Sequence, residues 1–293
     1  MNSIALFLMG KKGLGCLETI LNSTAVELKF VVYDIDQNVK KDYSDEIVKI
    51  CKENDLNYFR RNLFDEVLLD TVSYVIAISW RWLIKKNIEK LIVFHDSILP
   101  QYRGFNPLVT ALINGDKEVG VTAIFANKEF DKGDILSVKK VDILYPININ
   151  EAIDLITICY QDLLKDIILK IATNTLKAIP QDESQATFSL WRDDKDYFIN
   201  WELDANTIER TVNALGFPYS GARTRLDNKI IILEGVKVAT DVQIENRSPG
   251  KTLFLKNNMP SIVCGKGLII IEKAHYLDNY EVVYFNKFRI RLE

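Results

Sequence analysis

The sequence predicts an α/β protein, with an open, mostly parallel, Rossmann-like sheet domain followed by a small, mostly-β, barrel-like domain. Continuous apolar runs of strand length alternate with helical patterns over the first hundred or so residues. That alternation is typical of a parallel sheet covered on both faces by helices. A long apolar-periodic segment and a polar linker follow, and short β runs at regular spacing occupy the remainder.

The first part of the chain supplies the parallel sheet. Strands are predicted at residues 4–9, 28–33, 73–79 and 91–94, and helices at residues 16–21 and 44–54. Ser44 is well placed to cap the second helix. Three glycines lie between the first strand and the first helix, and we expect them to form a tight turn. Their spacing departs from the Gly-x-Gly-x-x-Gly dinucleotide motif, so no dinucleotide site is predicted there.

The pattern changes beyond the first hundred residues. Two more strands are predicted at residues 119–126 and 135–144, a long helix at 150–173, a linker at 178–185 and a helix at 205–215. Short strands are then predicted at residues 229–233, 236–239, 252–255, 261–264, 268–273 and 282–284. We therefore expect two domains, residues 1–180 and residues 188–293.

Composition narrows the functional classes. The 293 residues carry a net charge of -3, and 48% are hydrophobic. The acidic balance argues weakly against a nucleic-acid partner. No apolar stretch is long enough to span a membrane, and no signal peptide is apparent. The four cysteines lack metal or redox spacing, and only two histidines are present. We therefore expect a cytoplasmic protein with reduced thiols and no metal site.

One stretch carries residues suited to chemistry. His95 follows an apolar strand, and ligands of open α/β sheets bind beyond the carboxyl ends of strands. A histidine there can titrate near neutral pH. Asp131 lies in a charged turn between two predicted strands. From spacing alone, His95 is equally explained as a surface histidine and Asp131 as a turn former, so these readings remain open at this point.

The surrounding motif resembles the formyltransferase family that uses 10-formyltetrahydrofolate. The family's elements occur in order as His95, Ser97, Leu99-Pro100, Arg103-Gly104, Asn114-Gly115, Gly120-Val121-Thr122 and Asp131-Lys132-Gly133-Asp134-Ile135. The likeness is tight over residues 91–136 and looser over the rest of the first domain. The second domain is similar to the C-terminal domain of the longer family members.

The resemblance implies that His95 and Asp131 are catalytic and that 10-formyltetrahydrofolate is the co-substrate. The family also has a catalytic asparagine two places before the histidine, where this chain has Val93. Valine has no side-chain hydrogen-bond donor, so we predict that Asn106 or a backbone N–H replaces the missing amide. Slower chemistry, or a retained fold with a lost reaction, are the other two readings of Val93. Ile124 is a second departure, because many members have histidine there.

The resemblance also suggests which residues bind ligands. We expect the co-substrate to bind near Trp80, Arg81, Gly133 and Asp134, and the acceptor near Ser97, Tyr102, Arg103 and Gly104. Residues 78–82, 95–97 and 197–198 look most like those of nucleotide-sugar N-formyltransferases. A nucleotide-linked amino sugar, used in polysaccharide biosynthesis, is therefore the predicted acceptor. The alternatives are a methionyl-tRNA formyltransferase and a catalytically weakened folate or nucleotide-sugar binding protein. A homodimer is possible.

Overall fold

The computed structural model describes residues 1–293, which form two compact units. The first comprises Met1–Leu108, Lys117–Ile143 and Ala152–Trp191, and the second comprises Val109–Asp116, Leu144–Glu151 and Arg192–Glu293. The division differs from the expected one at residues 1–180 and 188–293 in two ways. The predicted linker belongs to the first unit, and two internal segments belong to the second.

The first unit is built on a seven-stranded sheet. Its elements and those that adjoin them in the chain are β1 (Ser3–Leu8), α1 (Gly10–Leu21), β2 (Glu27–Tyr33), α2 (Ser44–Glu53), β3 (Asn57–Arg60), β4 (Tyr74–Ile78), β5 (Leu91–His95), β6 (Arg103–Gly104), α3 (Pro107–Asn114), β7 (Glu118–Phe125), β8 (Ile135–Asp142), α4 (Ile149–Ala172) and β9 (Phe188–Ser189). The sheet order is β3-β2-β1-β4-β5-β7-β8. The first five of these strands run parallel, and β7 and β8 are antiparallel. The predicted mostly parallel sheet is therefore confirmed.

The glycines after β1 do not form the expected turn, because helix α1 already begins at Gly10. A Cβ atom on Gly13 would lie 2.7 Å from Cβ of Leu8, and one on Gly15 would lie 2.9 Å from Cγ2 of Thr157. These glycines therefore let α1 pack closely against β1 and α4. The predicted cap of α2 is also wrong, since Tyr43 is the N-cap residue.

The order of strands places a ligand crevice in the sheet. Strands β2 and β3 lie on one side of β1. The chain then crosses to the other side of β1, where β4 and β5 lie. Ligands of open α/β sheets bind beyond the carboxyl ends of the strands where the order reverses. The residues that follow β1, β4 and β5 are therefore the place to examine for a site.

Within the second unit, residues Arg192–Glu293 form an antiparallel barrel with one α-helix. Its elements are α5 (Ala205–Leu215), β10 (Ala222–Leu226), β11 (Lys229–Ala239), β12 (Thr252–Lys256), β13 (Met259–Val263) and β14 (Leu268–Tyr276), in the sheet order β10-β11-β14-β13-β12. Residues 290–293 close it: Arg225 exchanges backbone hydrogen bonds with Glu293, and Leu292 donates to Gly250. The predicted strands 229–233 and 236–239 form one strand, irregular at Gly235. Residues 282–284 make only one isolated bridge instead of the predicted strand.

Two further expectations concern the whole chain. All four cysteines are unpaired and buried, and burial raises the pKa of Cys51 to about 11 and that of Cys264 to about 12. Such thiols are inert at neutral pH. None of the helices combines the length and the apolar character needed to cross a bilayer.

Candidate active site

His95 is the last residue of β5, at the carboxyl edge of the sheet. Its ring is fixed from two sides. Nε2 lies 2.8 Å from the carbonyl oxygen of Tyr102, and Nδ1 lies 3.4 Å from Oδ1 of Asp131. The side chain is only 8% exposed, and that of Asp131 is 16% exposed. The structure thus brings together two residues that the sequence could not place relative to each other.

Asp131 reaches His95 from the turn between β7 and β8. Its φ of 56° lies in the left-handed region, which non-glycine residues seldom occupy and which is found at functional sites. Its second carboxylate oxygen, Oδ2, accepts a hydrogen bond of 2.8 Å from the backbone N–H of Gly104. Tyr102 and Gly104, both predicted acceptor-binding residues, therefore hold His95 and Asp131 through their backbone atoms.

The two contacts of the His95 ring are unequal. The Tyr102 contact has ordinary hydrogen-bond length, whereas the 3.4 Å contact to Asp131 is longer than the usual range. A reactant that takes a ring hydrogen bond would displace the weaker contact more readily. Nδ1, which faces Asp131, is therefore the ring nitrogen that is more readily released to a reacting group.

Ser97 has a different role from the predicted one. Its hydroxyl donates to the carbonyl oxygen of Gln101 at 2.6 Å, and its own carbonyl accepts from the Thr122 hydroxyl at 2.6 Å. The residue is only 4% exposed. Ser97 therefore shapes the turn after β5 and its side chain is not open to an acceptor, which corrects the sequence prediction.

Arg103 also departs from its predicted role in acceptor binding. It is 1% exposed, and its guanidinium donates to Oε1 of Gln181 and to both carboxylate oxygens of Glu183. Four of its five N–H donors are used in this way, so the side chain is committed to partners inside the protein. The sequence analysis treated Gln181 and Glu183 as linker, since their polar surroundings give no local sign of a site.

The remaining predicted site residues, and Val93, differ in how far they are exposed to solvent. Gly133 allows a close backbone approach, since a Cβ atom there would lie 1.6 Å from the carbonyl oxygen of Phe125. Asp134 is exposed, and so is Asn106, which directly precedes α3. Val93 is half-buried and packs against the apolar cluster around Phe7. The ligand roles of Gly133, Asp134 and Asn106 stay predictions.

A charged network beside His95 was missed by the sequence analysis. Lys12 forms an ion pair with Asp96, and the Tyr160 hydroxyl donates to the other oxygen of Asp96 at 2.6 Å. Burial acts to raise the pKa of Asp96, but the charge and hydrogen bond of Lys12 outweigh it and hold the pKa below its usual value. The pair therefore ties α1 and α4 to the end of β5.

A second cluster lies at the carboxyl ends of β1 to β4. It lines a cavity of about 360 Å³ that includes Arg60, Arg61 and Arg81. The first two donate through Nε to buried Asp34, at 3.2 and 2.6 Å, while Arg81 binds Asp36. Burial acts to raise the pKa of Asp34, but the hydrogen bonds from both arginines keep it low. Carboxylates thus orient three cations toward one cavity.

Trp80, a predicted co-substrate residue, lies beside this cavity. Its ring makes edge contacts with Phe7 and Trp82, both at a centroid distance of 5.1 Å. Its Nε1–H is buried and has no hydrogen-bond partner. Trp82 in turn lies under the guanidinium of Arg61, 4.3 Å away. Trp82 therefore lines the cavity next to the arginines, and Trp80 packs behind it.

Two family models match the chain. The model described as formyl transferase matches residues 48–153, and the model of the formyl transferase C-terminal domain matches residues 193–280. The first matched region contains both His95 and Asp131. The second covers most of the barrel.

Relatives of assigned function are also similar. The chain is 28% identical over 208 residues to the methionyl-tRNA formyltransferase of Clostridium novyi (strain NT), covering 69% of this chain and 66% of that protein. It is 34% identical over 163 residues to the methionyl-tRNA formyltransferase of Streptococcus equi subsp. equi (strain 4047), covering 56% of this chain and 47% of that protein. The matches thus span less than two thirds of the length of these relatives.

Solved structures share the fold over nearly the full chain. An N-formyltransferase from Helicobacter canadensis, solved with folinic acid and dTDP-3-aminofucose, matches with a TM-score of 0.71 at 17% identity, covering 92% of this chain and 99% of that chain. WlaRD, a sugar 3N-formyl transferase solved with dTDP and 5-N-formyl-THF, matches with a TM-score of 0.66 at 20% identity, covering 95% and 99%. At these identities the likeness concerns the fold alone.

Proposed function

The chain belongs to the formyl transferase family, and from this membership we propose that it transfers a formyl group from 10-formyltetrahydrofolate to the amine of a nucleotide-linked amino sugar. The observation that carries the proposal is the His95–Asp131 pair at the carboxyl edge of the sheet. A carboxylate and an imidazole 3.4 Å apart are suited to accept a proton from an attacking amine and to donate one nearby.

The reaction balances as follows. The amine nitrogen attacks the formyl carbon, and a bond forms between them while the carbonyl electrons move to the formyl oxygen. Asp131 accepts the proton that the amine loses, and an N–H of the His95 ring donates a hydrogen bond to the oxygen. When the intermediate collapses, the bond between the carbon and N10 of the folate breaks. The proton passes to N10, and tetrahydrofolate leaves.

The arginine cavity supports folate as the donor. The glutamate end of a folate carries carboxylates, and guanidinium groups bind carboxylates through paired hydrogen bonds. Arg60 and Arg61 use only Nε on Asp34, so their Nη groups are available to a ligand. Arg81 follows β4, the strand next to β5, and neighbouring strands lie about 4.8 Å apart. One long molecule can therefore extend from His95 to these cations.

The acceptor is proposed from two kinds of support. The two sugar N-formyltransferase structures cover 99% of their own chains in the match, so the shared architecture extends through both of our units. The acidic net charge of -3 also fits a small acceptor better than a polyanionic tRNA, whose binding generally needs a basic surface.

A methionyl-tRNA acceptor is the second candidate, because the relatives with the higher identities carry that activity in their names. The two acceptors differ in salt dependence. Phosphate contacts to a nucleic acid release counterions, so tRNA binding weakens steeply as salt rises. A salt titration with aminoacylated initiator tRNA therefore tests this candidate directly, and the absence of binding at low salt would eliminate it.

The test of the main proposal is an incubation with 10-formyltetrahydrofolate and a panel of nucleotide-linked amino sugars. We expect one sugar to gain a formyl group, measured by mass spectrometry, with equimolar tetrahydrofolate. The H95A variant should lose activity by about 10²–10⁴, the usual contribution of acid–base catalysis. Binding of both ligands without product in any mixture would instead indicate a non-catalytic binding protein and refute the proposal.

A further inference from the structure

The turn that carries Asp131 is held by a side chain far away in sequence. Nε2 of Gln181 donates to the carbonyl oxygen of Asp131 at 2.7 Å and to that of Gly133 at 2.8 Å. Both hydrogens of the amide are thereby used on one turn. Because Asp131 has a left-handed φ of 56°, its conformation persists only if surrounding contacts impose it.

The other end of the Gln181 amide is also occupied. Oε1 accepts from Nε of Arg103 at 3.1 Å and from Nη2 of Arg103 at 2.8 Å. A guanidinium has only donors, so the oxygen of the amide must face Arg103 and the nitrogen must face the turn. Arg103 is held in place from its far side by both carboxylate oxygens of Glu183, each at 2.8 Å.

These contacts close a ring around the catalytic pair. Gln181 links the Asp131 backbone to Arg103, and the next residue, Gly104, donates its N–H to the Asp131 carboxylate at 2.8 Å. The residue before Arg103, Tyr102, accepts from the His95 ring at 2.8 Å. The amide of Gln181 therefore joins the segment that holds His95 to the turn that holds Asp131.

We propose that Gln181 is a positioning residue for the transfer reaction, which fixes the Asp131 carboxylate against His95 by clamping the turn to Arg103. The effect that we expect on the reaction rate rests on the proposed function. A shift of about 1 Å at a reacting group can cost about 100-fold in rate, and the His95–Asp131 contact is already long. Loss of the clamp should thus lower kcat and leave the KM of either substrate nearly unchanged.

The Q181E variant separates positioning from folding. Glutamate has the same shape and still accepts from Arg103, but it cannot donate to the carbonyl groups of Asp131 and Gly133. We expect kcat to fall by about 10- to 100-fold, with KM close to wild type at a temperature where the variant remains folded. Q185A is the matched control, because the exposed side chain of Gln185 donates only to the Ser184 hydroxyl, at 3.5 Å, and its kcat should equal that of the wild type.

A second measurement requires no turnover. The protein has two histidines, so the ring signals of His95 and His275 can be assigned by NMR. In Q181E, the His95 signals should shift or broaden and those of His275 should not. If the wild type transfers no formyl group, the proposed function fails and this spectrum still decides the role of Gln181. A Q181E enzyme with kcat within twofold of wild type, or with unchanged His95 signals, would overturn the inference.

Discussion

At residue 131, one carboxylate serves two partners: Oδ2 accepts from the Gly104 N–H and Oδ1 faces His95. The first contact determines where the side chain lies, and the second determines what it can do. An asparagine keeps an acceptor for Gly104 but lacks the charge and the capacity to take a proton. The two tasks can therefore be separated by one substitution.

We predict that D131N lowers kcat by about 10²–10⁴, the range for loss of a general acid–base group, while the binding of 5-formyltetrahydrofolate stays near wild type. Steady-state kinetics and calorimetric titration measure the two quantities. D278N is the control, since Asp278 is exposed in the second unit. A D131N enzyme that keeps more than a tenth of wild-type kcat would show that Asp131 only supports the structure.

The residues of the site also show what the sequence could provide. The motif identified His95 and Asp131, because their types and spacing recur in a family. It could not show that Ser97 and Arg103 are buried and bonded within the protein, since their partners Gln101, Gln181 and Glu183 follow no recognisable pattern. Hydrogen bonds between residues distant in sequence leave no local signal, and Gln181 was missed for this reason.

At the scale of the elements, apolar runs predicted the buried strands of the sheet well, because burial on both faces requires continuous hydrophobic residues. Elements with weaker patterns were missed. Strand β3 has only four residues and none fully buried, so it shows no strong alternation. Helix α3 is eight residues long and opens with Pro107. Proline is well tolerated in the first helical turn, but it was not used as a start signal.

Helix α1 leads to a prediction about packing. A methyl group on Gly13 would meet Leu8 at 2.7 Å, so G13A must push α1 away from β1. We expect a loss of about 1–3 kcal/mol in the free energy of unfolding from overpacking, only partly offset by the better helix propensity of alanine. Urea denaturation measures it. G216A is the control, because a methyl group there meets nothing closer than 3.5 Å; equal stability of both variants would contradict the packing argument.

The Lys12–Asp96 pair joins α1 to the end of β5 and should give a pH-dependent stability. The pKa of Asp96 in the folded state is lowered below the unfolded value of about 3.9. The pair therefore stabilises the fold above that pH, and the contribution disappears as the pH falls through the folded-state value. Since Lys12 and Asp96 are 15% and 20% exposed, D96N should cost about 3 kcal/mol at pH 7.

Urea unfolding of the wild type and D96N from pH 7 to pH 3 measures this difference. The gap between the two unfolding free energies should begin to narrow below about pH 3.9 and keep narrowing as the pH falls toward the folded-state pKa of Asp96. D162N provides the comparison, since the Lys165–Asp162 pair is 62% and 51% exposed and such pairs contribute about 0–1 kcal/mol. A gap between wild type and D96N that stays constant over the pH range would refute the assignment to the Asp96 charge.

At the scale of the whole molecule, the order of an α/β domain before a β domain was predicted correctly, but the boundaries were not. Segments Val109–Asp116 and Leu144–Glu151 belong to the second unit although the sequence places them within the first. The hydrophobic periodicity of the sequence describes each element separately. It does not indicate which of the two hydrophobic cores an element packs against. The closing segment of the barrel was missed for the same reason, since residues 290–293 make only isolated bridges, to Leu226 on one side and Lys251 on the other.

That closing segment gives the last prediction. Leu292 is 2% exposed and bridges to Leu226, so L292A removes core contacts at the point where the barrel closes. We expect a loss of about 2–5 kcal/mol in the unfolding free energy of the second unit, as for other buried leucines. Faster hydrogen exchange should appear first at the amides of Arg225 and Thr252, which donate to residues 293 and 290.

L190A is the control, because the Leu190 side chain is 77% exposed. Its removal should leave the exchange rates of these two amides unchanged. If both amides stay as protected in L292A as in the wild type, residues 290–293 do not hold the barrel closed.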